Sequence, residues 1–194
     1  MNAADRRPLL LAVATANAVL LYLDRICMGE IVKTDLFRAE MGLSKEQTGA
    51  LMSSFFFAYA LGQVPAGYLA DRFGPRRMLA VYVALWSLFT AATGLAGGLA
   101  GLIAWRVLTG LSEAGAYPAS GRMIRAWFAD SSRGRASSCV ATGGRVGNAA
   151  ALFLTASLIA ALGAWRPVLW LYGSFGIVLA AMSWMVFQIG RAHV

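Results

Sequence analysis

One histidine, two cysteines and nine acidic residues are all that 194 residues carry of these types, and each scarcity removes a class of activity. A serine hydrolase needs an imidazole base beside its nucleophile. The lone histidine is His193, next to the last residue, so the serine in "GLS" at 110–112 has no base from within a helix. Metal chemistry lacks ligands for the same reason, because no helix clusters several carboxylates and there is no histidine to join them. Cys27 and Cys139 stand far apart and outside any metal or redox spacing, so both read as small buried helix residues. No enzyme activity, metal or other cofactor is expected.

Charge is scarce too. Charged residues make up 13% of the chain against 59% hydrophobic, and the mean hydropathy is +0.63, outside the range of soluble domains. Apolar windows of about 20 residues, the length that crosses a bilayer core, fall at 9–30, 47–69, 78–96, 99–120, 137–161 and 167–188. The expected fold is an all-α membrane protein of six transmembrane helices, with the lipid bilayer as its solvent.

The net charge of +8 raises the question of nucleic acid, and the placement of the basic residues answers it. With a cytoplasmic N-terminus, nine fall inside (Arg6, Arg7, Arg72, Arg76, Arg77, Arg122, Arg125, Arg133, Arg135) and four outside (Lys33, Arg38, Lys45, Arg166). That asymmetry follows the positive-inside rule. The clusters hug membrane ends and lack interleaved stacking aromatics, so nucleic-acid binding is excluded. The apolar run after Arg6 and Arg7 is too long for a signal peptide and has no small-residue cleavage site after it, so it reads as an uncleaved first helix.

Between the spans lie a charge-balanced outer loop at 31–45, a tight basic inner turn at 70–77, an uncharged outer turn at 94–98, a long basic inner segment at 121–136 and a short outer turn at 163–167. Residues 1–188 form one bundle with no soluble domain. The terminal "IGRAHV", 189–194, does not continue the sixth helix and matches one reading frame of a sequencing-library adapter. It is expected to be a non-native tail, with the natural protein running on past Gln188; a short genuine polar tail is the alternative.

The stretch "GYLADRFGPRR" sets Gly67, Asp71, Arg72, Gly74, Arg76 and Arg77 at the inner end of the second helix. Gly67 suits close helix approach, Gly74 and Pro75 a tight turn, and the arginines hold that turn in the cytoplasm. Asp71 is expected to pair with a neighbouring arginine or a helix N-terminus. This pattern resembles the loop signature of the major facilitator superfamily, G-x-x-x-D-R-x-G-x-R-R. The run 106–128, through Arg106, Gly110, Pro118, Trp127 and Phe128, resembles that superfamily's fourth helix, and "LYLDRICM" resembles its anion:cation symporter branch. The resemblance covers residues 9 to about 188. It implies the N-terminal half of a transporter built from inverted three-helix repeats, a missing C-terminal six-helix half, a small organic anion such as a sugar acid as substrate, protons as the coupling ion and an inner-membrane location. The fifth helix departs from the pattern: it lacks the G-P pair of antiporters and carries Arg145, read here as snorkelling to the inner surface or touching substrate.

An ionised side chain at helix centre costs roughly 2.5–3.5 kcal/mol, so Arg106 and Glu113 must face protein or water. At 100° per residue Arg106, Gly110, Glu113 and Tyr117 share one stripe, expected to line a cavity. Arg25 and Arg106 start at similar heights, roughly 8–10 Å below the outer surface, and two guanidinium groups at one level suit a carboxylate. Glu113, two turns deeper, is placed to exchange a proton, with Asp24 as a second acid. Tyr59 and Gln63, one turn apart, can bond substrate hydroxyls. Three readings compete with this one: structural ion pairs among Asp24, Arg25, Arg106 and Glu113; a self-contained six-helix protein that works by oligomerising; and a carrier of another substrate class.

Overall fold

The computed structural model describes residues 3–188, and the expected tail at 189–194 lies outside them. Among the described residues all regular structure is helical: α1 (Ala3–Ile31), α2 (Asp35–Met41), α3 (Lys45–Phe73), α4 (Pro75–Thr93), α5 (Leu99–Glu113), α6 (Ala116–Trp127), α7 (Asp130–Leu162) and α8 (Arg166–Gln188). Three stretches, Arg7–Ile31, Asp130–Leu162 and Arg166–Phe187, are long and apolar enough to cross a membrane by length and composition alone.

The helix ends follow local chemistry. Ser44 caps α3 by accepting from the Gln47 amide, while the Gln47 side chain accepts from the Ser44 amide, which satisfies two otherwise orphaned donors. Gly74 adopts φ +89, a turn that a β-carbon would strain, and Pro75 opens α4 at its first position, where no amide is needed.

Three expectations need correction. The outer loop 31–45 holds the short helix α2, capped by Thr34 and closed by left-handed Gly42. The inner segment 121–136 is almost wholly helical, with only 128–129 between α6 and α7. There Arg133 donates to the Phe128 and Arg125 carbonyls at 3.0 and 2.9 Å, satisfying the end of α6. The fourth window is split into α5 and α6 at residues 114–115. Pro118 has no amide to return to the Ala114 carbonyl, and a proline breaks the ladder one turn before itself.

Packing follows an internal symmetry. α1 lies against α7 and α3 against α5; α4 lies against α8; α1 also meets α8, and α4 meets α5 and α6. Exchanging α1, α3 and α4 for α5–α6, α7 and α8 maps this set of contacts onto itself, as two inverted three-helix units require. Asp24–Arg25 and Arg106–Glu113 occupy the first span of each unit.

The two ends of the bundle are pinned differently. At the end with the 70–77 turn, Arg122 of α6 bonds Asp71 and the Gly67 carbonyl, each at 2.7 Å. A β-carbon on Gly67 would meet nothing within 4 Å, so the close helix approach expected of it is not made among the described residues. At the opposite end, Glu40 of α2 accepts from the Trp165 indole at 2.6 Å and from Arg166 at 2.9 Å, and Arg166 also donates to the Gly94 carbonyl at 2.6 Å. These bonds, with Arg166 first and Trp165 second, hold the Glu40 carboxyl below its ordinary range.

A carboxyl whose folded pKa is depressed stabilises the fold above its unfolded pKa, and that contribution is lost as pH falls through the folded value. Protection of the α2 amides, measured relative to their intrinsic exchange rates, should therefore fall as pH drops through and below the ordinary glutamate range, and Glu40→Gln should flatten that dependence; an unchanged profile would show that the clamp does not hold α2. The α1–α7 seam yields a second expectation. A β-carbon on Gly147 would run into the Val19 carbonyl oxygen and lie 2.8 Å from the Val19 Cα, whereas one on Gly134 would meet nothing within 4 Å. Gly147→Ala should destabilise the bundle by about 1–3 kcal/mol, as overpacking does, and Gly134→Ala should not. Thermal unfolding in detergent checks the pair.

Candidate functional site

Adjacent positions on a helix leave it about 100° apart, so Asp24 and Arg25 of α1 serve different surfaces. Arg25 turns to α5 and α3. Its Nε and Nη2 both donate to Glu113 Oε2, at 3.1 and 3.0 Å. The guanidinium lies inside an aromatic box, with the rings of Tyr22, Phe55 and Tyr59 at 5.2, 5.5 and 4.5 Å. The Arg25 side chain retains 12% exposure and Glu113 none. Arg106 is buried and stacks on the same Phe55 ring at 4.3 Å. The two arginines thus meet at one phenylalanine, a cation–π arrangement in which desolvation strengthens each contact.

Asp24 faces the other way. With Cys27, Thr90, Thr93, Arg106 and Thr109 it lines a narrow cleft among α1, α4, α5 and α8. Neither Asp24 oxygen has a hydrogen-bond partner, nor do Glu113 Oε1 or Arg106 Nε and Nη2. Four ionisable side chains therefore converge in the packed interior, with one two-pronged bond among them.

This placement corrects the expected cavity stripe. Gly110 brings the α3 backbone so near that its β-carbon would lie 2.5 Å from the Phe55 carbonyl oxygen, and Arg106 and Glu113 on either side of it are buried. The stripe faces packed helix instead of an open cavity. Glu113 does not sit apart from the arginines as its depth implied, because the Arg25 side chain reaches inward to it. Of the hydroxyl-bonding candidates, Tyr59 belongs to the box, stacked on Phe55 at 6.1 Å. Gln63 is exposed one turn further on, outside it. The loop residues Gly67, Asp71, Arg72, Gly74, Arg76 and Arg77 lie at the end pinned by Arg122, with Arg76 over the Trp127 ring at 4.8 Å.

Sequence reasoning missed Tyr22, Phe55 and Asn17. Tyr22 stands one turn before Arg25, so helical spacing alone could have put it beside that charge; Phe55 meets Arg25 and Arg106 from another helix, a contact that no local spacing signals. Asn17, polar in an apolar run, donates to Ser183 at 2.9 Å.

Two three-helix units, each with ionisable residues buried in its first helix, set the architecture of this bundle. The profile described as Major Facilitator Superfamily matches residues 14–193. The chain is 34% identical to the D-galactonate transporter of Escherichia coli O6:H1 over 188 residues, covering 96% of this chain and 43% of that protein. It is 33% identical over 177 residues to the Cupriavidus necator protein named "Probable sulfoacetate transporter SauU", covering 91% and 39%. Among solved structures, a bacterial homologue of the human lysosomal transporter Spinster, inward-facing and unoccupied, superposes with a TM-score of 0.84 at 25% identity, covering 93% of this chain and 43% of that one. The chain belongs to the major facilitator superfamily, and it spans about two fifths of the length of the curated relatives it matches.

Removing one partner of a buried ion pair strands the other, at about 3–5 kcal/mol, whereas replacing both with apolar groups is often neutral. Arg25→Leu should therefore lower the stability of the bundle by that amount, and Arg25→Leu with Glu113→Leu should recover most of it. Additive losses in a double-mutant cycle of detergent unfolding would show that the two side chains do not act as a pair.

Proposed function

We propose that this chain is a six-span half of a secondary transporter that imports a small organic anion, of the sugar-acid class, together with protons across the inner membrane, with its N-terminus cytoplasmic. The observation that carries the reading is the two-pronged bond from Arg25 to Glu113. The Nε–Nη2 edge of a guanidinium is the edge that binds a carboxylate in bidentate fashion, so Glu113 occupies the group a substrate acid would use. Protonating Glu113 discharges it and frees Arg25 for the anion; losing that proton restores the pair and expels the anion. Substrate and an ionised Glu113 thus exclude each other, and an anion bound at Arg25 is accompanied by a proton on Glu113. The balance is one proton taken up and one released by the same carboxyl per cycle.

The other candidates fit around this exchange. Asp24, buried beside Arg106, is a second carboxyl able to carry a proton, and Arg106 a second guanidinium for the substrate. Tyr59, and Gln63 beyond it, offer hydroxyl and amide partners to a polyhydroxy acid. The Asp71–Arg122 clamp, with Gly67, Arg72, Gly74, Arg76 and Arg77 around it, is placed to open and close as one half rocks against the other. Galactonate and sulfoacetate, for which the relatives are named, share an anionic head on a small polar body.

Glu113→Gln keeps the size of the side chain and removes its titration. In vesicles holding the protein expressed from its complete gene, it should abolish proton-driven accumulation of D-galactonate, galactarate or sulfoacetate while counterflow of the same anion persists. Undiminished accumulation would sink the coupling role, and a parent that carries none of the three anions would sink the carrier reading.

A further inference from the structure

Arg25 is engaged by Glu113 and Arg106 is packed against Phe55, so neither presents a free guanidinium to the open side of the bundle. Arg145 does. It is exposed, stands on a helix long and apolar enough to cross a membrane, and makes no ion pair among the described residues.

The three sides of α7 decide where Arg145 faces. Val140, Gly143, Gly144, Gly147 and Ala151 are buried, and the three glycines lie against Thr15, Tyr22 and Val19 of α1. Val146 and Phe153, within about 20° of one another, are 56% and 76% exposed, an apolar flank suited to lipid. Over 138–149, Ser138, Ala141, Thr142, Arg145, Asn148 and Ala149 occupy the remaining arc of about 120°, and all six are exposed; Leu152, 46% exposed, follows on the same arc about two turns beyond Arg145. Small and polar side chains within a turn of a charge that costs roughly 2.5–3.5 kcal/mol in lipid mark the 138–149 stretch of this arc as facing water or protein, and they favour substrate contact over snorkelling for Arg145.

The arc also borders the site. A β-carbon on Gly144, the neighbour of Arg145, would lie 2.7 Å from the Tyr22 ring and 3.1 Å from the Tyr117 hydroxyl; Tyr22 in turn lies under Arg25. Since Gly143 meets Thr15 and Gly147 meets Val19, α1 and α7 run parallel. Arg145 is therefore level with residue 17, about 12 Å along the axis from Arg25 toward the end pinned by Arg122.

We propose that Arg145 is an inner anion station, a guanidinium that receives the carboxylate or sulfonate of the substrate as Glu113 reclaims Arg25. This rests on the anion-carrier reading and adds a second binding step to it. A substrate held in bidentate fashion leaves slowly unless another cation lies ahead, and Arg145 supplies that cation on the exit side.

The test keeps Arg145 in place and probes beside it. In the protein expressed from its complete gene, with Cys27→Ser and Cys139→Ser, N148C should react with a sulfonate-bearing methanethiosulfonate in inside-out vesicles at least 10-fold faster than V146C on the lipid flank. D-galactonate, galactarate or sulfoacetate should slow that reaction several-fold, and Arg145→Gln should remove the protection while Arg145→Lys restores part of it. Protection that survives Arg145→Gln, or an N148C thiol no more reactive than V146C, would overturn the station; the latter result would mean that another protein segment or lipid covers the arc. If the parent accumulates an anion that never protects N148C, this proposal fails and the carrier reading stands. If the parent accumulates none of the three anions, the carrier reading fails and takes the station with it.

Discussion

Taking a carboxylate or a guanidinium out of water costs several kcal/mol even after the protein relaxes, and only close partners offset it. Four such groups sit inside this bundle, and much of its architecture follows from accommodating them. Glu113 is fully buried and has one two-pronged donor, Arg25. Arg25 carries three aromatic faces around it, and Arg106 borrows one of them. Aromatic rings supply a cation with an attractive surface that brings no competing anion, so the positive charge is held without pairing off every guanidinium. The result is an interior that can exchange partners: each arginine keeps donor capacity, and each acid keeps at least one free oxygen.

Such a core needs helices that approach closely, and glycine provides the approach on both sides of the internal symmetry. Gly110 admits the α3 backbone beside the charges, and Gly143, Gly144 and Gly147 seat α7 on α1. Lipid gives helices no hydrophobic reason to associate, so small residues and backbone contact carry the association. The corresponding seams, α3 on α5 and α1 on α7, flank the Arg25–Glu113 pair. A shift of one three-helix unit against the other therefore moves the two partners relative to each other.

The fold was legible where the signal is local. Apolar windows marked the long helices, three of which are long and apolar enough to cross a membrane, and the 67–77 pattern marked the turn at Gly74. Asp24, Arg25, Arg106 and Glu113 stood out because ionised residues are costly in apolar runs. What stayed hidden depended on non-local geometry. An arginine side chain reaches further than one helical turn, so residue height could not tell that Arg25 would take Glu113. Facing was lost for a related reason: a helical wheel gives a stripe but not its neighbour, and only the close approach at Gly110 turns that stripe against α3. Asp71 and Arg122 are 51 residues apart, beyond any pattern in the turn itself. α2 is a helix of 7 residues, too short to stand out from a polar loop. Pro118 was noticed as a motif match, yet its effect falls one turn earlier, where the fourth span divides.

Under the proposed carrier reading, the distribution of free and engaged cations would give the pathway a direction. Arg25 stands inside the bundle, held by the Glu113 carboxylate; residue 145 lies about 12 Å along the axis from residue 25, and Arg145 is exposed on α7. An anion moving between them would leave a guanidinium whose own carboxylate competes for it and meet one with no such competitor among the described residues. The difference in partner sets a slope that does not require the two arginines to differ in intrinsic affinity. In that reading, reversing the slope requires Glu113 to be neutral, so the proton proposed to admit the anion at Arg25 would also decide which of the two cations holds it more tightly.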